Sequence, residues 1–282
     1  MTVLMKERAV RIGKPAPLTG VVTVPNTLDS TKPVVLCFNS GVMHHVGACR
    51  LTVKLARMLA EQGLLSIRFD FSGIGDSAPR SGSLSFTESA PKEAKEVMDY
   101  LQKIYNIQNF LLYGLCSGAD AAYGAALGDD RVVGIVQIDA YSYKNWQYHL
   151  YHYSRRVFKW RHWKSFLMRS FRLHQKGNEL APHESVGVDE EYYEMASYAR
   201  EFPSSESVKG GIDKSMRRKV KVPSTFTGGT PDYNYKSQFS DTFRSVIDRE
   251  YYGVEYYPDA GYIIAEPQSQ TVVLRRIAEW LL

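Results

Sequence analysis

Cysteine is scarce in this chain of 282 residues. The three present, Cys37, Cys49 and Cys116, are too few and too irregularly spaced for a disulfide framework or a cysteine metal knuckle. So sparse a set suits a reducing compartment, and a cytoplasmic setting is expected. No run approaches the ~20 apolar residues that a membrane-spanning helix needs. The first ten residues, with Lys6, Glu7 and Arg8 among them, hold no apolar core of signal-peptide length. A surplus of one charge is also missing, since 35 basic residues against 30 acidic ones leave +5, too little to argue for nucleic acid. No internal repeat and no low-complexity tract is found, which excludes solenoids, propellers and disordered arrays. Histidine is rare as well: there are seven, and the last is His183. What is there is enough chain for one large α/β domain, or a domain with an insertion, around a sizeable core.

The chemistry centres on residues 109–120, Asn-Phe-Leu-Leu-Tyr-Gly-Leu-Cys-Ser-Gly-Ala-Asp. The apolar run 110–113 suits a buried parallel strand and stops at Gly114. Gly114, Leu115, Cys116, Ser117 and Gly118 then read small-x-nucleophile-x-small before an alanine-rich helix. This is the pattern of a nucleophile elbow, a strained strand-to-helix turn whose flanking glycines avoid Cβ clashes. Its centre is Cys116, because a register centred on Ser117 would put Leu115 where a small residue is required. The plainer reading of Cys116 is a small buried apolar residue.

Around this stretch the periodicity alternates. Strands are expected over 8–12, 18–24 and 33–38, the last followed by the loop Asn39-Ser40-Gly41-Val42 and then His44 and His45. Leu51, Leu55, Met58 and Leu59 mark one helix face that stops at Gln62-Gly63, and Ala90, Ala94, Val97, Leu101 and Ile104 mark another. A strand over 64–71 lies between them and ends in Asp70-Phe71-Ser72-Gly73-Ile74-Gly75-Asp76-Ser77. Those glycines read as turn residues, since Gly-x-Gly lacks the third glycine of a dinucleotide fingerprint. Asp76 and Ser77 read as turn or N-cap residues, and Asp120 as a complement to the dipole of the elbow helix. A further strand over 132–138 completes an alternation that predicts a mostly parallel central sheet flanked by helices. Strands return over 220–227 and 254–257, separated by a helical stretch over 236–251, and Val273, Ile277, Trp280 and Leu281 mark a last helix.

The alternation breaks between residues 141 and about 180, where aromatic and basic residues interleave and no acidic residue occurs between Asp139 and Glu179. Such a stretch suits an amphipathic membrane-surface helix, a polyanion-binding face or a substrate lid. It equally suits a helical excursion whose aromatics pack on the core while its cations sit in water. Residues 183–212, punctuated by Pro203-Ser204-Ser205 and Gly210-Gly211, read as loop.

Taken together, the Asn39–Val42 loop, the 68–77 segment, the elbow and the two terminal strand-turn-helix units resemble the α/β-hydrolase family over nearly the whole chain. The Asn-x-Gly-Val loop and the Leu-Cys-Ser-Gly-Ala-Asp elbow are similar, more narrowly, to bacterial hydrolases and acyltransferase-like proteins found with exopolysaccharide or exosortase systems. The resemblance implies a core of residues 1–140 and 213–282 with a basic, aromatic helical cap over 141–212. It makes Cys116 the nucleophile, as in the dienelactone-hydrolase-like branch that uses cysteine. The backbone N–H groups of Val42 and Ser117 would form the oxyanion hole, and Asp232 would be the acid. No metal or organic cofactor is implied. A cap of this composition favours a small-molecule or glycan-like acyl substrate bearing negative charge or sugar rings over contact with a membrane surface, and nucleic acid is not expected.

The family's histidine is missing. Where it follows the last strand, this chain has Gly261-Tyr262, and a phenol with an unperturbed pKa of about 10 is a poor base at neutral pH although it can donate a proton. Asp259 just before it is a second site carboxylate or, on the turn preferences of Asp, a surface-turn residue. Three readings follow. The first is an ester or thioester acyl hydrolase or acyltransferase with a rearranged relay, helped by the helix N-terminus and by His44, His45, His149 or His152. The second is a non-catalytic binding or regulatory module in which Tyr262 fills the histidine's space. The third is a redox-responsive thiol.

Overall fold

The structure is a computed structural model and describes residues 5–157, 200, 202–262 and 264–281. Most of the basic aromatic stretch, and the 183–199 part of the expected loop, lie outside the described residues.

Four strands are fully buried: β3 (Val34–Cys37), β4 (Ser66–Phe69), β5 (Phe110–Leu115) and β7 (Val222–Thr227). Burial on both faces makes β3 and β5 read as apolar runs and not as alternation, whereas β4 and β7 bury polar side chains as well, Ser66, Arg68, Ser224, Thr225 and Thr227. With β1 (Met5–Ile12), β2 (Leu18–Pro25), β6 (Val132–Ile138) and β8 (Tyr252–Tyr257) they form one eight-stranded sheet in the order β1-β2-β4-β3-β5-β6-β7-β8. The β1–β2 and β2–β4 pairs are antiparallel and the pairs from β4 to β8 are parallel.

Successive side chains of a strand point to opposite faces, so each central strand divides its residues between two cores. Val34, Leu36, Phe110 and Leu112 pack with Ala94, Val97 and Leu101 of α2 (Phe86–Tyr105) and with Ala122 and Ala125 of α3 (Ser117–Gly128). Val35, Cys37, Leu111 and Tyr113 face Leu51, Leu55 and Leu59 of α1 (Leu51–Glu61). The carboxyl ends of the parallel strands open on one edge, where open α/β sheets carry their sites.

α4 (Trp146–Val157) follows β6. Two expected elements differ. The end of the expected loop is helical: α5 (Ser205–Arg217) is capped by Ser204, whose Oγ accepts the Ser207 N–H, and it buries Val208 and Ile212. Gly210-Gly211 reads as punctuation yet lies inside this helix, where Gly211 lets Tyr123 come close enough for its hydroxyl to donate to Val208 O at 2.8 Å. Conversely, the helix expected over 236–251 shrinks to α6 (Gln238–Thr242). Phe239 and Phe243 bury there, but Asp248 Oδ1 accepts the Glu250 N–H at 2.9 Å, a side-chain turn that replaces the helical ladder. The last helix, α7 (Pro267–Leu281), packs Val273, Ile277 and Leu281 on the same side as α1.

Candidate active site

The turn after β5 puts Cys116 at φ 56°, ψ −122°, a strained conformation for a residue with a Cβ, while Ser117 is already the first residue of α3. The elbow is therefore centred on Cys116. Its N–H donates to Ile138 O at 2.8 Å, and its carbonyl receives Ala119 N–H and Asp120 N–H at 2.9 and 3.2 Å. Two glycines make the turn feasible. A Cβ on Gly114 would overlap the backbone of Gly118, and one on Gly118 would overlap Asn39 O.

The loop after β3 lies against the elbow because Gly41 N–H donates to Ser117 Oγ at 2.6 Å. Asn39 holds this loop in shape: its Nδ2 donates to Met43 O and to Asp70 Oδ1, both at 2.8 Å, and its Oδ1 accepts Phe71 N–H. Val42 is exposed on this loop, one residue after the elbow contact at Gly41.

Tyr262 comes in from the loop after β8, and its Oη donates to Cys116 Sγ at 2.5 Å. Its approach depends on Gly229 in the loop after β7, where any Cβ would overlap the Tyr262 backbone. Burial, then the bond to Cys116, raises the phenol above its ordinary pKa.

A third group meets the sulfur that the sequence reading missed. Arg200 Nη1 lies 3.8 Å from Cys116 Sγ, while Nε and Nη2 grip the two oxygens of Asp120 at 2.5 and 2.9 Å and Nη2 also donates to Asp139 O. The guanidinium lies 5.5 Å from the ring centre of Tyr141 and 4.8 Å from that of Phe202. Burial pushes the Asp120 carboxyl up to about 6 against the pull of Arg200. Asp120 is thus the anchor of an arginine and not a lone complement to a helix dipole. The only hint in the sequence was a carboxylate in the first turn of an alanine-rich helix. Arg200 itself stood in a polar segment with nothing to distinguish it from its neighbours.

The predicted acid lies elsewhere. Asp232 Oδ1 pairs with Lys144 Nζ at 2.8 Å, and among the described residues its carboxylate makes no hydrogen bond to Tyr262 or Cys116. Asp259 is exposed in the turn before Tyr262. A buried carboxylate on this edge is Asp139, at the end of β6. Its oxygens accept Thr227 N–H at 2.7 Å and Thr227 Oγ1–H at 2.8 Å, which ties β6 to β7, and burial raises its pKa despite those bonds.

His44 and His45 turn toward carboxylates and not toward the thiol. His45 Nδ1 lies 2.6 Å from Asp70 Oδ2, and His44 Nε2 lies 3.0 Å from Asp76 Oδ2. The ligand atoms of these four residues lie within 4.8 Å of one another, so they are the described residues that could hold a metal. They are satisfied without one. Asp70 accepts from Asn39, from His45 N–H and Nδ1, and from Asp76 N–H. Val46 N–H donates to His44 Nδ1. Asp76 and Ser77 join the same knot: Ser77 Oγ donates to Asp70 O at 2.6 Å and accepts Thr19 N–H at 2.8 Å. His149 and His152 pack against Tyr148 on α4, with ring centres 5.4 and 5.9 Å away.

No family model matches the sequence. The uncharacterized protein YcjY of Escherichia coli (strain K12) is 27% identical over 128 residues, which is 44% of this chain and only 40% of YcjY. Solved structures match over the full length. Est1E from Butyrivibrio proteoclasticus, solved with ferulic acid, is 15% identical with a TM-score of 0.59, covering 97% of this chain and 98% of Est1E. XC6422 from Xanthomonas campestris, described as an α/β serine hydrolase without a lid, is 12% identical with a TM-score of 0.56, covering 98% and 94%. Together with the strand order, these likenesses identify the α/β-hydrolase fold. No helix among the described residues is long and apolar enough to cross a membrane.

Proposed function

We propose that the chain is an acyl hydrolase or acyltransferase acting on an ester or thioester through a Cys116 acyl-enzyme, with Tyr262 in the role usually taken by histidine. The observation that carries this reading is the Tyr262 Oη–Cys116 Sγ contact of 2.5 Å at a strained elbow. A fold keeps such strain where chemistry needs a side chain lifted clear of the sheet.

In this scheme the thiolate attacks the carbonyl carbon, and the N–H groups of Val42 and Ser117 receive the oxyanion. Collapse breaks the bond to the leaving oxygen, which takes the Tyr262 proton, leaving an acyl-enzyme, an alcohol and a phenolate. A phenol of raised pKa is a weak base, but its phenolate is a strong one. The phenolate then takes a proton from water or an acceptor alcohol, whose oxygen attacks the thioester. The second collapse releases the acyl product and the thiolate, with Tyr262 protonated again. The interleaved arginines and aromatics of the inserted segment support an acyl donor bearing negative charge or sugar rings.

A second reading has its own observation. Among the described residues no carboxylate is bonded behind Tyr262, Asp232 being engaged by Lys144, and this favours a binding module that has given up the reaction. A p-nitrophenyl ester assay on wild type, Cys116→Ala and Tyr262→His separates the two. A burst lost in Cys116→Ala supports the acyl-enzyme. A silent wild type with turnover appearing in Tyr262→His supports the binding module and removes the enzyme reading.

A further inference from the structure

We infer that Arg200 is the positive partner of the Cys116 sulfur and makes this site select electrophiles that carry negative charge. The inference deepens the acyl-transfer reading by naming the charge of the group the site prefers, and it rests on that reading only for its biological use.

The argument starts from the guanidinium's inventory. An arginine has five N–H donors in a rigid planar fork. Nε and Nη2 are committed to Asp120 and to Asp139 O, and Nη1 is the nitrogen turned to the sulfur at 3.8 Å. The fork has little freedom to leave. Asp120 holds it in a two-point grip from the first turn of α3, the ring centres of Tyr141 and Phe202 lie within 5.5 Å of it, and the Arg200 side chain is only 16% exposed. Asp120 therefore acts as a positioning residue. It fixes the plane of the guanidinium so that one amino group faces the reacting atom.

Among the described residues no lysine, histidine or second arginine makes a hydrogen bond or ion pair with Cys116. The charge that a protonated histidine supplies in other thiol sites is thus supplied by a group that cannot titrate near neutral pH. A fixed cation has a consequence that a histidine lacks. A reactant group attached at or next to the atom under attack must lie within a few ångströms of Nη1, so an anionic reactant gains a charge-assisted hydrogen bond there and a neutral one does not.

The test compares alkylation of Cys116 by iodoacetate and by iodoacetamide. In both reactions the sulfur displaces iodide and forms a bond to carbon, and the reagents differ mainly in charge. Labelling is followed at Cys116 by peptide mass spectrometry, which separates it from Cys49, the exposed thiol, and Cys37, the buried one. The ratio of the two second-order rate constants is expected to be at least tenfold higher at Cys116 than for glutathione. The double variant Arg200→Met with Asp120→Asn, chosen so that no lone carboxylate is left buried, is expected to return the ratio to within about twofold of glutathione. Its fold is checked by cooperative urea unfolding.

A wild-type ratio no higher than that of glutathione, or a ratio unchanged in the double variant, overturns the inference. The readout is alkylation and not turnover. An absent ester burst with a high ratio would therefore sink the acyl-transfer reading alone, and a burst with an ordinary ratio would sink the role of Arg200 alone.

Discussion

Replacing Tyr262 by Phe removes one oxygen from the site and leaves the ring that packs behind it. The deleted hydroxyl donates to Cys116 Sγ at 2.5 Å. A hydrogen bond to a charged acceptor contributes about 1.5–3 kcal/mol, which corresponds to roughly 10- to 150-fold in rate if it is made to the attacking thiolate. Proton delivery to the leaving oxygen adds a factor of about 10²–10⁴, but only where the leaving group needs a proton. The variant should therefore split substrates by leaving group. Acylation by alkyl esters should fall by about 10³ or more. The p-nitrophenoxide burst should fall only by the smaller factor, because that leaving group departs unprotonated. Steady-state turnover of the alkyl ester should nearly stop, since only a Tyr262 that has protonated the leaving oxygen becomes the phenolate that serves deacylation as base. Stopped-flow measurement of burst and steady state on matched alkyl and p-nitrophenyl esters reads all three quantities. Equal losses on both esters would refute the assignment of Tyr262 as proton donor, and an undiminished steady state would refute it as the base.

Three further outcomes test the architecture. Gly114→Ala forces a Cβ into the Gly118 backbone and should cost about 3 kcal/mol or more, at the upper end of overpacking, whereas Gly210→Ala on exposed α5 meets nothing and should gain about 0.5–1 kcal/mol; urea midpoints moving in the same direction would contradict this. Arg200→Ala leaves Asp120 buried without its partner and should cost about 3–5 kcal/mol, with the double alanine variant costing less than the sum, as a double-mutant cycle in urea would measure. Asp70 is pushed up by burial but more strongly pulled down by bonds from His45, Asp76 N–H and Asn39, so its folded pKa lies below its ordinary value of 3.8. Its stabilisation is complete above about pH 4 and is lost as the pH falls through the lower folded value. Asp70→Asn should flatten that acid limb in unfolding free energies measured from pH 2 to 6.

Much of the site's framework was legible along the chain because it is local. Gly114, Cys116 and Gly118 lie within five residues, and the steric demand of a strand-to-helix turn falls on the residues of the turn itself, so the register centred on Cys116 followed from sequence. Continuous apolar runs likewise announced buried parallel strands, since burial on both faces is a property of each segment. Tyr262 came from the family resemblance, which places a histidine after the last strand.

Partners brought together by the sheet were beyond reach. Arg200 meets Asp120 across 80 positions and Cys116 across 84, and no local pattern distinguishes an arginine bound for a carboxylate from one bound for water. Asp232 reads as well as any acid, yet Lys144 after β6 engages it, and His44 and His45 sit beside the elbow loop but turn to Asp70 and Asp76. Helix lengths after residue 200 were decided by packing and competing turns: Gly211 serves close contact with Tyr123 inside α5, and α6 stops at Thr242 and gives way to turns where periodicity alone would continue it. The chain by itself determined the fold class and the residue at the elbow, because both follow from short-range sterics and burial. Which charges surround that residue was decided by tertiary structure alone, because electrostatic partners are chosen by distance in space.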